Sequence, residues 1–248
     1  MESIHFDSGI HPLTTASLLL LPGSLCDAAL WEPQVAAIGD RWRISVPSVT
    51  GLDSIEAMAE AVLADAPERF CLAGFSMGGR IALEMLRRQP ERIERLALIG
   101  ASVHPVADGE AARRQPMIEL ASTQGMTAVA KNWIPRLVHP SRLDDTEFMS
   151  RLMDMTCRFT PQDYAEENHA LLNRPDPRPL LETIAIPTLV LAGRQDPLST
   201  PERNTDIAGR IPGAKLVLLD DCGHFPTLEA PDPSTAALLD WLGPEGPL

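Results

Sequence analysis

Positive charge is scarce in this sequence, in which 21 lysines and arginines stand against 34 aspartates and glutamates. Proteins that bind nucleic acids usually carry a basic stripe that meets the phosphates. The dense basic runs here are short and lie at 41–43, 87–88 and 113–114. Nucleic acid is therefore not expected as a partner, and the net charge of −13 favours solubility without indicating anything more specific.

Cysteines are also few and widely separated, at Cys26, Cys71, Cys157 and Cys222. No two of them have the spacing of a metal-binding CxxC pair, and their small number argues against a disulfide scaffold. We interpret them as free thiols in a reducing compartment. No metal and no cofactor is predicted from the sequence.

Long apolar runs are missing as well. A membrane-spanning helix needs about 20 apolar residues, and a secretory signal needs a positively charged start before its apolar core. The first 15 residues carry Glu2 and Asp7 but no lysine or arginine, and the apolar run at 18–21 is too short. The cytoplasm is the expected location, no membrane partner is expected, and the oligomeric state is left open.

The 248 residues contain alternating strand and helix patterns. Short apolar runs followed by amphipathic segments are typical of βαβ units with a mostly parallel sheet. The predicted strands are Ser17–Leu21, Trp42–Val46, Phe70–Phe75, Leu96–Gly100, Thr188–Ala192 and Lys215–Leu219. The predicted helices between them are Ile55–Ala66, Met77–Arg88, Pro201–Arg210 and Ser234–Leu242. Asp53 and Glu56 have the spacing of a capping box that begins the first of these helices.

The segment 102–183 interrupts this alternation, because it contains helical patterns but no strand-like run. Its predicted helical stretches are Met117–Ala121, Met126–Trp133 and Thr146–Met155, and a proline-rich stretch, 174–179, follows them. We interpret 102–183 as a helical insertion that divides a core domain into 1–101 and 184–248. Insertions at the carboxyl end of a sheet commonly form lids over a site.

The strongest functional signal is Gly74-Phe75-Ser76-Met77-Gly78, which lies directly after a predicted strand and before a predicted helix. A tight turn between these elements lifts a serine hydroxyl clear of the sheet, and the flanking glycines relieve the crowding. The helix N-terminus favours a developing negative charge. Ser76 is therefore the candidate nucleophile, and the backbone N–H of Met77 is a candidate oxyanion donor.

A second oxyanion donor is expected from the turn that follows the first strand. Pro22-Gly23-Ser24 comes directly after Leu21, and a backbone N–H just past the glycine can join that of Met77. Two such donors stabilise the oxyanion of a tetrahedral intermediate. We assign this second donor to the N–H of Ser24.

A serine nucleophile needs a base, and a histidine base needs a carboxylate that orients it. His224 follows the last strand in a turn with Gly223, which is expected to let the loop bend sharply. His104 is its best rival, whereas His5 and His11 fall in a segment that is expected to be loose. Asp196 follows the fifth predicted strand, 120 residues after Ser76 and 28 before His224. Its rivals, Asp220 and Asp221, are too close to the histidine in sequence to face it well.

The chain resembles the α/β-hydrolase superfamily over nearly its whole length. The resemblance rests on Leu21-Pro22-Gly23-Ser24 with Trp31 after it, Gly74–Gly79, Gly193–Asp196 with Pro201 after it, and Gly223-His224-Phe225. The order Ser, Asp, His along the chain matches the triad of this family. The resemblance implies an α/β-hydrolase fold with a mostly parallel central sheet, flanking helices and a helical lid.

Within the superfamily, the nucleophile turn is similar to that of small-molecule carboxylesterases and of cofactor-free haloperoxidases with perhydrolase activity. One departure is Pro22-Gly23, where the family often has His-Gly. Dehalogenases and epoxide hydrolases carry aspartate in place of Ser76, and epoxide hydrolases also use two lid tyrosines, whereas this chain has Tyr164 alone. The expected function is the hydrolysis of small-molecule carboxylic esters through an acyl-serine.

Two alternatives stay open at this point. Carbon–carbon bond hydrolases and the menaquinone-pathway synthase resemble the same layout, and Arg113, Arg114 or Arg158 could bind the carboxylates of their substrates. The other alternative is a ligand receptor or signalling protein on a hydrolase fold. Five residues of the lid are expected to offer an apolar wall, although no individual contact is predicted: Trp133, Phe148, Met153, Met155 and Phe159.

Overall fold

The computed structural model describes residues 16–243. The expectations about the first 15 residues, including His5 and His11, concern residues outside this range. Six strands form one sheet in the order β2-β1-β3-β4-β5-β6, and every neighbouring pair is parallel. The strands are β1 (Ser17–Leu21), β2 (Arg43–Ser45), β3 (Phe70–Phe75), β4 (Ile93–Ile99), β5 (Thr188–Gly193) and β6 (Lys215–Leu219).

Helices cover both faces of the sheet and fill the segment 102–183. The α-helices are α1 (Glu32–Ile38), α2 (Ile55–Asp65), α3 (Met77–Arg88), α4 (Glu110–Gln124), α5 (Met126–Trp133), α6 (Thr146–Cys157), α7 (Pro161–Leu172), α8 (Arg178–Leu181), α9 (Pro201–Arg210), α10 (Pro226–Glu229) and α11 (Pro231–Leu242). Short 3₁₀ helices occur at Ala28–Trp31, Gly39–Arg41, Pro90–Arg92, Ile134–Arg136 and Pro140–Arg142. No helix within 16–243 has both the length and the apolar character needed to cross a bilayer.

The core consists of two apolar layers, one on each face of the sheet. Successive residues of a strand point to opposite faces, so Leu18 and Leu20 join one layer while Leu19 and Leu21 join the other. Helices α1 and α11 pack on the first face, and α2, α3 and α9 pack on the second. The α/β-hydrolase fold predicted from the sequence is confirmed.

One of the two edge strands, β2, differs from the sequence prediction. The two edges, β2 and β6, are partly exposed along most of their length, whereas β1, β3 and β5 are fully buried. β6 has the predicted bounds, and both edges are partly exposed because a strand with one neighbour is not covered on both faces. β2 is accordingly shorter than predicted.

The start of α2 also differs from the prediction. Ser54 is the N-cap, and its hydroxyl accepts a hydrogen bond from the N–H of Ala57 at 3.1 Å. Asp53 lies one residue too early, and the Asp53–Glu56 capping box is not formed. Serine and aspartate are comparably good N-caps, so composition alone did not separate these adjacent positions.

Candidate active site

The nucleophile turn joins β3 directly to α3. Ser76 has φ 50° and ψ −112°, a conformation that is strained for a residue with a side chain. A Cβ on Gly74 would lie 2.3 Å from the carbonyl oxygen of Gly78, and one on Gly78 would lie 2.5 Å from that of Leu21. The glycines are therefore required by close backbone approach, and the turn leaves Ser76 half-buried at the wall of a cavity.

The three side chains predicted to form a triad meet at the carboxyl edge of the sheet. The Nε2 atom of His224 lies 3.1 Å from the hydroxyl oxygen of Ser76, and its Nδ1 atom lies 2.8 Å from Oδ2 of Asp196. Ser76 follows β3, Asp196 follows β5 and His224 follows β6. Loops at the carboxyl ends of parallel strands share one edge, which explains how residues so distant in sequence come together.

Asp196 is held as a carboxylate. Its Oδ1 atom accepts hydrogen bonds from the backbone N–H groups of Leu198 and Ser199 at 2.8 and 2.9 Å. Burial by itself would raise the pKa of this carboxyl, but the charge and hydrogen bond of His224 and the two N–H groups together lower it below its usual value. An ionised Asp196 fixes the tautomer of His224 and stabilises its charged form.

The rival residues occupy other positions. His104 lines the same cavity but makes no hydrogen bond to Ser76. Asp220 pairs with Arg194 at 2.5 Å, and the carboxylate of Asp221 lies 3.8 Å from the ring of His139. None of the three therefore replaces Asp196 or His224 in the hydrogen-bond chain to Ser76.

The two expected oxyanion donors come from two different segments, Ser24 from the loop after β1 and Met77 from the start of α3. Ser24 and Met77 both line the cavity with Ser76. Within residues 16–243, neither backbone N–H donates a hydrogen bond to another protein group. The absence of a protein acceptor among these residues is compatible with the expected role, which stays a prediction.

Glu229, a residue that the sequence reasoning missed, holds the histidine loop. Its carboxylate on α10 is buried and accepts hydrogen bonds from the N–H groups of Gly223 at 3.0 Å, Phe225 at 2.9 Å and His139 at 2.7 Å. The N–H of His224 itself donates to the carbonyl of Leu137 at 2.7 Å. No motif marks a glutamate five residues after a histidine, so only the folded chain reveals this role.

Gly223 does not provide the sharp bend that was expected of it from the sequence. The glycine does not adopt a left-handed backbone conformation. A Cβ there would lie 2.4 Å from the carbonyl oxygen of Leu137 and 2.7 Å from the N–H nitrogen of His139. Gly223 is thus required by the close approach of the 102–183 segment to this loop, and not by a sharp bend of its own.

The cavity beside Ser76 has a volume of about 520 Å³ and is lined from both the sheet edge and the segment 102–183. Trp133 is the single member of the expected apolar wall that lines it, and Met155 is buried in the core. Arg113 and Arg114 line the cavity, whereas Arg158 does not and pairs with Asp27 at 2.5 Å. The suggestion that Arg158 could bind a substrate carboxylate is therefore wrong.

Comparison with known proteins shows which family the chain belongs to. Residues 18–237 match the model of the alpha/beta hydrolase family. A pimeloyl-[acyl-carrier protein] methyl ester esterase of Nitrosomonas europaea is 27% identical over 94% of this chain and 96% of its own.

Two solved structures are similar over most of both chains. A thermophilic esterase from Thermogutta terrifontis, solved with malate bound, has a TM-score of 0.83 and 28% identity over 92% of this chain and 89% of its own. The enol-lactonase from Burkholderia xenovorans has a TM-score of 0.82 and 27% identity over 92% of this chain and 91% of its own. The chain belongs to the α/β-hydrolase family and is an enzyme, an esterase-like hydrolase.

Proposed function

We propose that the enzyme hydrolyses small-molecule carboxylic esters through an acyl-serine intermediate. Ser76 attacks the ester carbonyl while His224 takes its proton, and Asp196 stabilises the imidazolium. The N–H groups of Ser24 and Met77 stabilise the oxyanion. His224 then gives the proton to the departing alkoxide, and a water molecule, activated by the same histidine, releases the carboxylic acid and restores Ser76.

The observation that carries this proposal is the unbroken hydrogen-bond chain from Asp196 through His224 to Ser76. The strained backbone of Ser76 supports it, because strain of this kind is characteristic of functional turns. The names of the similar proteins, a methyl ester esterase, an esterase and an enol-lactonase, support the choice of an ester bond.

The proposal is tested with a series of p-nitrophenyl esters of increasing acyl length. Wild-type enzyme is expected to release p-nitrophenol in a burst followed by steady turnover, which a receptor that reacts only once would not sustain. Ser76→Ala is expected to lose turnover by several orders of magnitude, whereas Ser122→Ala, at an exposed position on α4, retains it. Near-normal turnover by Ser76→Ala would exclude the mechanism.

A second candidate is a carbon–carbon bond hydrolase or a menaquinone-pathway synthase-like lyase with the same triad. The arginines that line the cavity, among them Arg113 and Arg114, favour it because such substrates carry carboxylates. Turnover of a vinylogous 1,5-diketone in preference to a p-nitrophenyl ester would favour this candidate. The reverse preference would support the esterase.

A further inference from the structure

The cavity beside Ser76 is cationic although the chain as a whole is acidic. One carboxylate, Glu110, and six arginines line it: Arg80, Arg113, Arg114, Arg136, Arg174 and Arg203. Two of these arginines, Arg114 and Arg174, pair with Glu110. The other four have no carboxylate oxygen within 4 Å among residues 16–243. Because low-dielectric walls focus the field of such charges, this cavity attracts anions.

Arg80 is the most unusual of the six. It lies one helical turn after Ser76 on α3 and is only 7% exposed. Its Nη2 atom donates to the carbonyl of His104 at 2.8 Å, but its buried Nη1 atom has no hydrogen-bond partner among the described residues. Burial and the neighbouring Arg174 lower its pKa to about 9, so it is still cationic at neutral pH. The charges of Glu110 and Asp176 only partly offset this lowering. A buried cation that no carboxylate contacts directly is costly, and an anion bound to it would offset that cost.

His104, whose backbone carbonyl accepts the hydrogen bond from Arg80, has an unsatisfied side-chain atom of its own. Its Nε2 atom is buried without a partner in the described part of the chain, and the residue lines the cavity with Arg80. Burial and the charge of Arg203 lower its pKa, so the ring is neutral near pH 7 and can donate from one nitrogen. A carboxylate has acceptor positions for both an arginine and a neutral histidine.

We infer that Arg80 and His104 form a subsite for a carboxylate, so that the preferred substrates are esters carrying a free acid group. This inference rests on the proposed function, because the scissile carbonyl is placed at Ser76. Residues one turn apart on a helix share a face, and long side chains lean toward the helix N-terminus. Monoesters of short dicarboxylic acids are therefore the candidate substrates.

The test compares the monomethyl esters of succinic, glutaric and adipic acids with neutral methyl esters of the same acyl length. Wild-type kcat/KM is expected to favour the best anionic ester roughly 10- to 100-fold, the range that a charge-assisted hydrogen bond supplies. Arg80→Met is expected to remove this preference and Arg80→Lys to retain part of it. Arg158→Met, at a surface position outside the cavity, is the matched control and keeps the full preference.

A second readout does not need catalysis. Glutarate is expected to bind Ser76→Ala in calorimetry and to bind the Ser76→Ala/Arg80→Met double variant at least roughly 10-fold more weakly. Hydrolysis of neutral esters without any preference for the anionic series would overturn the subsite and leave the esterase proposal intact. Glutarate binding in an enzyme that hydrolyses no ester would overturn the esterase proposal and leave the subsite intact.

A separate observation concerns Glu167, which reaches from α7 to the loop after β1. Its carboxylate is 5% exposed and accepts hydrogen bonds from the hydroxyl of Ser24 at 2.5 Å and the N–H of Leu25 at 3.0 Å. Leu25 has a φ of 55°, which is unfavourable for a residue with a side chain. These hydrogen bonds tie the side chain of Glu167 to a strained loop that carries the proposed oxyanion donor.

We propose that Glu167 is a positioning residue that holds the N–H of Ser24 where the oxyanion develops. Glu167 acts through Ser24 and Leu25 and not by touching the substrate. Because α7 belongs to the segment 102–183, movement of that segment would move the oxyanion donor as well. Loss of the contact should weaken binding of the transition state more than binding of the substrate.

The test is a double-mutant cycle of Glu167→Gln and Ser24→Ala with a trifluoromethyl ketone and a matched amide as ligands. Glu167→Gln is expected to lower kcat and the affinity for the ketone about 10-fold, part of the loss that follows from removing an oxyanion donor. KM and the affinity for the amide are expected to change little. The two substitutions are expected to be non-additive because they break the same contact.

Equal losses of ketone and amide affinity, or additive effects, would overturn the positioning role. Glu167→Ala is expected to be more impaired than Glu167→Gln, since Oε2 accepts both hydrogen bonds and the amide oxygen of glutamine, a weaker and neutral acceptor, can take its place. Thermal unfolding of each variant separates this effect from loss of the fold.

Discussion

Replacing Glu229 by glutamine changes one atom of a buried side chain and should disturb the whole histidine loop. The carboxylate accepts three backbone hydrogen bonds, from Gly223, Phe225 and His139. Glutamine keeps one oxygen and places an NH₂ group against at least one of these N–H donors. Losing a hydrogen bond to a charged group and leaving its donor unpaired costs about 1.5–3 kcal/mol. The net expectation is therefore a destabilisation of about 1.5–3 kcal/mol.

This loss is measurable in two ways. A chain of this size loses about 2–4 °C in Tm per kcal/mol, so Tm should fall by about 3–12 °C. Displacing the ring of His224 from Ser76 should lower kcat by about 10- to 100-fold, because misplacement by 1 Å can cost that much. Glu119→Gln, at an exposed position on α4, is the control and should change neither quantity. A wild-type Tm and kcat in Glu229→Gln would refute the role assigned to Glu229.

Three further predictions concern stability. Burial alone would raise the pKa of Glu110, but Arg174 and other donors lower it to about 2. Its contribution to stability is therefore present above about pH 4.3 and is lost as pH falls toward 2. In urea unfolding, the free energy of unfolding of Glu110→Gln should fall less steeply with decreasing pH than that of the wild type. Burial raises the pKa of Glu167 to about 7, so its contribution is lost as pH rises from about 4.3 through 7, and Glu167→Gln should reduce that decline. Gly78→Ala should abolish soluble folded protein, because its Cβ would lie 2.5 Å from two backbone oxygens. Gly209→Ala on α9, where a Cβ would meet open space, should instead stabilise the protein by up to about 1 kcal/mol. Unchanged pH profiles, or a fully folded Gly78→Ala, would contradict these expectations.

The fold could be predicted from the sequence because its signals are local. The buried strands β1, β3 and β5 are continuous apolar runs, and periodicity identifies such runs well. The edge strand β2, with its exposed Arg43 and Ser45, lacks that signal. Helix α7 was not among the predicted helices although it begins with a capping box at Thr160 and Asp163. Its buried face carries the polar residues Glu167 and Asn168, so no apolar stripe marks the helix in the sequence.

Local motifs in the sequence predict one part of the candidate site and miss the other. Ser76, Asp196 and His224 each stand at a turn after a strand, so their order along the chain predicts that they meet. Their catalytic roles are still a proposal. Glu229, Glu167 and Arg80 have no local motif, because their roles depend on contacts that only the folded chain brings about.

The most direct measurement is the site of covalent modification by a fluorophosphonate, followed by intact mass and peptide mapping. The proposed mechanism predicts one phosphonyl group per chain, attached to Ser76, with ester hydrolysis lost in proportion to labelling. His224→Ala should label far more slowly. Full inactivation with the label on another residue would contradict the mechanism. Undiminished ester hydrolysis by enzyme that is fully labelled at Ser76 would contradict it as well.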